Sequence, residues 1–281
     1  MIKITADSTC DLSPELVDKY NITLAPLHVL INDENYLDGV NITPKDIFQY
    51  VSVENKNCST AAINTYEYEQ LFKQFSNDYD AVIHISLGMK FSSCFQNATL
   101  AAKNFNNVHV VDSQNLSTGS GHLVIEAAEL ANKGITANEI VAKITALAPE
   151  VETSFVIDTM EYLKRGGRCS SLEAFGATLL KIKPSIEVID GKMEVGKKYR
   201  GNQKSSLEKY VKDRLENRPN IDTSRLIITH SECSDEVVEH VKATVSQYKQ
   251  FDEILVTTAG STVSTHCGPN TLGILFKRTI S

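Results

Sequence analysis

The stretch "DAVIHISLGMKFSSCFQNATLAAKNFNNVHVVD" (residues 80–112) reads as strand, helix, strand. An apolar run of strand length ends at Ser86. A helical segment opens near Ser92, Ser93 and Cys94, and a second β-branched run ends at Asp112. Strands joined by a helix of this length need a crossover connection, which predicts parallel pairing in an α/β fold.

The pattern extends in both directions. "IKITAD" (2–7) reads as a strand, and "SPELVDKY" (13–20) as a helix with Ser13 as N-cap and Pro14 at the first helical position. "ITLAPLHVLI" (22–31) reads as one further strand, and Thr43-Pro44 opens another helix. Thr60 is expected in a polar loop before the helix "TYEYEQLFKQFS". Helical stretches follow around 116–133 and 136–148. After Pro149 the pattern changes to a strand ("ETSFVIDT"), helical pieces around 159–164 and 170–180, and a hairpin turning at Asp190-Gly191. A polar helix over about 202–217 and further strand–helix alternation complete the chain. We therefore expect two domains with a cleft between them. Residues 1–150 would form an N-terminal Rossmann-like parallel-sheet domain, and residues 151–281 a C-terminal α+β domain.

Composition narrows the function. A net charge of −7 over 281 residues argues against nonspecific nucleic-acid binding, which rests on clustered Lys and Arg. No apolar run reaches the length of a membrane span. The six cysteines form no C-x-x-C pair and show no zinc-ligand spacing, and the N-terminus reads at once as a strand, so a cytoplasmic protein with reduced thiols is expected. Between Lys164 and Lys204 basic residues are frequent but interleaved with acids, which fits either a solvated face or a docking surface for an anion or acidic partner.

Nucleotide-binding and hydrolase motifs are missing: the sequence has no G-x-x-x-x-G-K-[ST], G-x-G-x-x-G, G-x-S-x-G or H-E-x-x-H. "STGSGH" (117–122) is glycine-rich, but its small residues suit close helix packing better than a phosphate cradle. The carboxyl end of a parallel strand beside a helix start is where open α/β folds bind ligands, and Ser92 or Ser93 would stand there after "DAVIHIS". Alone, each serine reads as an N-cap, Thr60 as a turn residue, and His266, in "THCGPNTLGILF" (265–276), as a packed histidine. A hydrolase or phosphotransferase using Ser92 or Ser93 with His266 is the alternative, and it needs a carboxylate such as Asp7 or Asp112 to orient the ring.

The blocks "ADSTCDL" (6–12), "TAAIN" (60–64), "ISLGMKFSSCFQ" (85–96), "VVDSQNLSTGSG" (110–121), "FVIDTMEYLKRGGRCS" (155–170), "KPSIEVIDGKMEVGKKYRG" (183–201) and "HCGPNTLGI" (266–274) occur in an order that resembles the DegV family. The resemblance spans nearly the whole chain. It implies a two-domain fold enclosing a lipid and a fatty-acid-binding subunit of a bacterial fatty acid kinase. Such a subunit is no enzyme itself. It presents the carboxylate to a separate kinase subunit that supplies ATP and Mg²⁺, carries the acyl-phosphate, and delivers it to an acyltransferase for phospholipid synthesis. A monomer without cofactor is implied. Thr60 matches the threonine of the family's T-S-Q-P-S loop, Ser92 (with Ser93 beside it) the serine of its L-S-G-T block, and His266 the histidine of its H-x-G-P block. These residues would hold the carboxylate, and Arg168, ending the G-G-R block, would lie at the phosphoryl-transfer surface. "TAAIN" lacks the glutamine and proline of that loop, and Ser93 and Cys94 replace Gly and Thr. Phe175, Leu179 and Leu180 are expected in the acyl tunnel. A lipid-binding regulator without a kinase partner is a further alternative.

Overall fold

A computed structural model describes residues 1–32, 34–54, 56–168 and 182–279 of the chain. Its strands in chain order are β1 (Ile2–Asp7), β2 (Thr23–Ala25), β3 (His28–Ile31), β4 (Glu34–Leu37), β5 (Cys58–Ala61), β6 (Ala81–Ser86) and β7 (Val108–Asp112). Then come β8 (Val151–Val156), β9 (Ile182–Ile189), β10 (Lys192–Arg200), β11 (Ile221–Ser231), β12 (Ile254–Thr258) and β13 (Thr271–Arg278). The helices are α1 (Pro14–Lys19), α2 (Pro44–Phe48), α3 (Thr65–Phe75), α4 (Cys94–Ala102) and α5 (Thr118–Asn132), followed by α6 (Ala137–Leu147), α7 (Glu161–Gly166), α8 (Gln203–Leu215), α9 (Asp235–Tyr248) and α10 (Ser261–Cys267).

Strands β2-β1-β6-β7 form a parallel sheet, and the β6–α4–β7 unit lies inside it. One face of this sheet packs Ile4, Ile83 and Ile85 against Leu123, Ile125, Ile140 and Ile144 of α5 and α6. On the other side Tyr68, Phe72 and Ala98 of α3 and α4 pack with Val82, and this cluster continues into Phe155, Leu163, Ile186 and Met193. A second sheet, in the order β10-β9-β8-β13-β11-β12, is mixed: only β11 and β12 run parallel, and α8 and α9 pack against it. All strands of the second sheet follow residue 150.

Local sequence logic explains many of the ends. Ser13 Oγ accepts the Leu16 N–H at 3.4 Å, and Thr43 closes a capping box with Asp46. The β9–β10 hairpin turns where Asp190 (φ 50°) and Gly191 (φ 72°) both take positive φ, the signature of a type I′ turn.

Three expectations need correction. "ITLAPLHVLI" is two strands: β2 ends at Ala25, Pro26 removes a ladder donor, and β3 joins a different sheet. That sheet, β4-β3-β5, is antiparallel, and Thr60 lies in β5 opposite Val29, not in a loop. Nor is Thr60 a helix cap, the other local reading of it: Asn64 caps α3 in a capping box with Glu67, and α3 begins at Thr65 as expected. The helical piece expected around 170–180, with Phe175, Leu179 and Leu180, lies outside the described residues.

The glycines of "STGSGH" serve contact. A Cβ on Gly119 would lie 2.0 Å from Thr153 Oγ1, and one on Gly121 would lie 2.8 Å from the Cys10 carbonyl. Helix α5 thus sits tightly against the Thr153 side chain of β8 and the backbone of the turn after β1. Gly119→Ala should destabilise the protein by about 1–3 kcal/mol, the usual cost of overpacking. Urea unfolding reads this directly, and an unchanged midpoint would mean the contact relaxes freely.

Candidate functional site

The site begins with buried carboxylates at the carboxyl end of β1. Asp7 accepts hydrogen bonds from Tyr68 Oη (2.6 Å), Ser86 Oγ (2.8 Å) and the Leu87 N–H (2.7 Å), and meets His84 Nε2 at 3.1 Å. Burial pushes this carboxyl up, but His84, Tyr68 and the Leu87 amide together hold it below the ordinary carboxylate range. The loop after β6 that carries Phe91 and Ser92 is therefore tied to β1. Asp11 accepts the Gly260 N–H at 2.9 Å and Asp38 the Ser261 N–H at 2.7 Å, so both meet the start of α10.

The loop after β6 and helix α10, which these carboxylates anchor, both contribute to the wall of an apolar cavity that opens to solvent. Leu27, Leu87, Phe91, Leu116, Phe155, Leu163, Met193 and Val263 give it apolar walls, and Thr60, Ser92, Arg168 and His266 contribute polar groups. A second pocket of about 410 Å³ is bordered by Ser59, Tyr162 and Arg165 and shares Thr60, Arg168 and His266 with the first. Those three residues stand where the apolar cavity meets a more polar basin.

Within the site, Thr60 Oγ1 and His266 Nε2 are 2.8 Å apart. The other ring nitrogen, Nδ1, has no hydrogen-bond partner among the described residues. It packs on Gly166, where a Cβ would lie 2.1 Å from it, so the first glycine of "RGGR" is the space the imidazole occupies. Desolvation, with the Arg168 charge beside the ring, lowers the His266 pKa to about 4. The ring is thus neutral at neutral pH and carries a single N–H. Arg168 is exposed, and its Nη1 donates to the Gly166 carbonyl at 2.7 Å. Ser92 Oγ accepts the Cys94 N–H at 3.3 Å at the start of α4.

The structure brings Thr60, Ser92, Arg168 and His266 to one cavity. It does not bring Ser93, which is exposed and absent from the lining because it continues the turn away from Ser92. Nor does it assemble the triad of the alternative reading. His266 bonds to a threonine, Asp7 is committed to His84 and its other donors, and Asp112 accepts the Met89 and Gln114 amides. The basic stretch is partly neutralised by its neighbours: Arg165 pairs with Glu161 at 2.6 Å, Lys197 with Asp213 at 3.0 Å, and Lys183 with Asp158.

Sequence reasoning missed most of the apolar lining, which comes from loops, from strands of the second and third sheets, and from α7 and α10. It also missed Asp11 and Asp38, although "ADSTCDL" contains the first. The short helix α10 was missed too: His266 sits in its last turn, not on an open turn.

The His266 value has a consequence for stability. An unfolded-state imidazole titrates near 6.5, and in the folded chain near 4. The folded state thus disfavours the proton, and this contribution is lost as pH falls from about 6.5 through 4. Imidazole NMR of the ligand-free protein should show His266 neutral at pH 6 and titrating near 4. A midpoint at or above 6.5 would contradict the environment described.

Comparisons with known proteins follow the same line. The family model described as "Uncharacterised protein, DegV family" matches residues 1–279. A DegV domain-containing protein of Caldanaerobacter subterraneus is 29% identical over 279 residues, covering 98% of each chain. Among solved structures, a Thermus thermophilus protein described by its fatty-acid binding is 30% identical with a TM-score of 0.89, and the match covers 99% of both chains. A Bacillus subtilis protein described as a fatty acid binding protein is 25% identical with a TM-score of 0.82, again over 99% of both.

Proposed function

The chain belongs to the DegV family, and from that premise we propose that it binds a fatty acid and presents its carboxylate to a separate ATP-dependent kinase. It then carries the acyl-phosphate towards an acyltransferase. The chain is a binding subunit, with ATP and Mg²⁺ on the partner. The observation that carries this reading is the apolar cavity with the Thr60–His266 pair, Ser92 and Arg168 in its wall. The fatty-acid binding ascribed to the Thermus thermophilus and Bacillus subtilis proteins supports it.

The physical case has two parts. Each buried methylene gains about 0.8 kcal/mol, so a long acyl tail in the apolar cavity is strongly held and its carboxylate needs only modest help. Neutral donors give that help without the cost of burying a fixed cation. Thr60 Oγ1 and Ser92 Oγ are such donors, and a His266 Nε2–H donated to Thr60 Oγ1 frees the threonine's own hydrogen for the anion. Arg168 keeps its guanidinium in water and adds a screened attraction for the anion.

Phosphorylation changes the demand. A carboxylate of one negative charge becomes an acyl-phosphate of nearly two, and hydroxyls alone no longer suffice. His266 borders both pockets and can gain a proton as the negative potential rises. Arg165 and Arg168 border the polar basin, where the phosphoryl group would sit. Phosphoryl transfer rests mainly on positioning and charge stabilisation, so a non-catalytic subunit that fixes the acceptor oxygen has a real share in the rate. The departures at "TAAIN" put Ala61 and Ala62 in the cavity wall, which bears on acyl preference more than on the head-group donors.

Thr60→Ala and Ser92→Ala should each weaken fatty-acid binding by about 0.5–3 kcal/mol with little change in the unfolding midpoint. Equilibrium binding to the double variant checks this, and wild-type affinity there would remove both residues from the head-group site.

His266→Ala should leave fatty-acid affinity close to wild type while sharply lowering acyl-phosphate formation with a cognate kinase. Lost binding with normal turnover of whatever still binds would instead make the histidine a carboxylate clamp.

A further inference from the structure

Helix α10 starts under two carboxylates drawn from distant parts of the chain. Asp11 follows β1, and besides the Gly260 N–H its Oδ2 lies 2.5 Å from Ser117 Oγ. Asp38 follows β4, and besides the Ser261 N–H it accepts from Ser8 Oγ at 2.8 Å. Ser8 Oγ in turn accepts the N–H of Leu27, a residue of the cavity wall, at 3.1 Å. Both carboxylates are buried, at 5% and 3% exposure, and neither is in an ion pair among the described residues.

This is an expensive way to start a seven-residue helix. The free N–H groups of a helix start are ordinarily met by one Ser, Thr, Asn or Asp just before it. Here Gly260 stands at that position and offers no side chain. Two buried acids without a cationic partner carry a desolvation cost that a local serine would avoid. What the arrangement secures is the placement of α10, which contributes Thr262, Val263, His266 and Cys267 to the cavity wall. Gly166 meets the His266 ring near the far end of the helix, so the helix is held at both ends.

We propose that Asp11 and Asp38 are positioning residues of the binding site, whose grip on the first two N–H groups of α10 sets His266 against Thr60. The proposal rests on reading the Thr60–His266 pair as a ligand contact, and it adds what holds that pair in register. The protonation state of Asp11 fits an aligning role. Burial, opposed by Ser117 and the Gly260 amide and reinforced by the Asp38 charge, pushes it up to about 8. A neutral side chain of the same shape should therefore serve. Asparagine can accept the Gly260 N–H through its carbonyl and donate to Ser117 through its amide.

The test uses the full chain and two readouts. The first is the imidazole NMR signal of His266 in ligand-free protein, and the second is the equilibrium affinity for stearate. Asp11→Ala should shift the His266 ring signals and, because Thr262, Val263 and Cys267 of the cavity wall move with α10, weaken stearate binding by roughly tenfold or more even though loss of the imidazole alone does not. Asp11→Asn should restore both to near wild type. Unchanged ring signals and affinity in folded Asp11→Ala would overturn the proposal, as would failure of Asp11→Asn to restore either. Should Asp11→Ala not fold, Asp38→Ser carries the same decision, because its hydroxyl is too short to reach the Ser261 amide. An undisturbed His266 in that variant sinks the idea. If the wild type takes up no stearate, the fatty-acid reading fails, while the ring signals still decide whether the two acids position His266.

Discussion

A buried carboxylate at the end of β1, Asp7, holds the ligand-binding side of the parallel sheet in place. Its contacts run to α3 through Tyr68, to β6 through His84 and Ser86, and to the loop after β6 through the Leu87 amide. Every group that faces it brings a hydrogen-bond donor or a partial positive charge. That is the condition under which a buried acid orders its surroundings instead of destabilising them. The loop fixed at Leu87 delivers Phe91 and Ser92 to the cavity. Four residues further along the chain, Asp11 repeats the device on α10, so one short segment, "ADSTCDL", controls two walls of the same site.

Donors and apolar surface divide the work at that site. Thr60, Ser92 and His266 are neutral at neutral pH, and the nearest fixed cation, Arg168, stays exposed. A fully enclosed arginine would bind a carboxylate more strongly, but it would also hold the product and leave an uncompensated charge when the site is empty. On the proposed reading, weak polar contacts combined with a tail that gains affinity per methylene suit a carrier that must release what it binds. The adjoining basin, with Arg165 and Arg168 on its rim, is more polar than the apolar cavity, and the histidine borders both.

Much of this was legible in the sequence, for identifiable reasons. The β6–α4–β7 unit and the Asp190-Gly191 turn rest on local signals: strand-length apolar runs, a helix of crossover length, and a dipeptide that tolerates positive φ. The sheet β4-β3-β5 was not legible, because its strands are short and half-exposed, and Pro26 hides the break between β2 and β3. Helix α10 defeats propensity, since "STVSTHC" is rich in β-branched residues and serines that favour other conformations. Asp11 and Asp38 meet its start and Gly166 its last turn, and such long-range contacts leave no mark on local pattern. The proposed head-group residues rest on the ordered family blocks, not on spacing, since neither Thr60 nor His266 carries a local signal of function.

Occupancy by a fatty acid of the cavity beside Thr60 and His266 is the property on which the proposed function stands or falls. Mass spectrometry of lipid extracted from protein purified without detergent tests it most directly, with a Thr60→Ala, Ser92→Ala double variant treated identically. Fatty acid should approach one molecule per wild-type chain and fall clearly in the variant. A wild-type chain that carries no fatty acid, and takes none up when offered one, would contradict it.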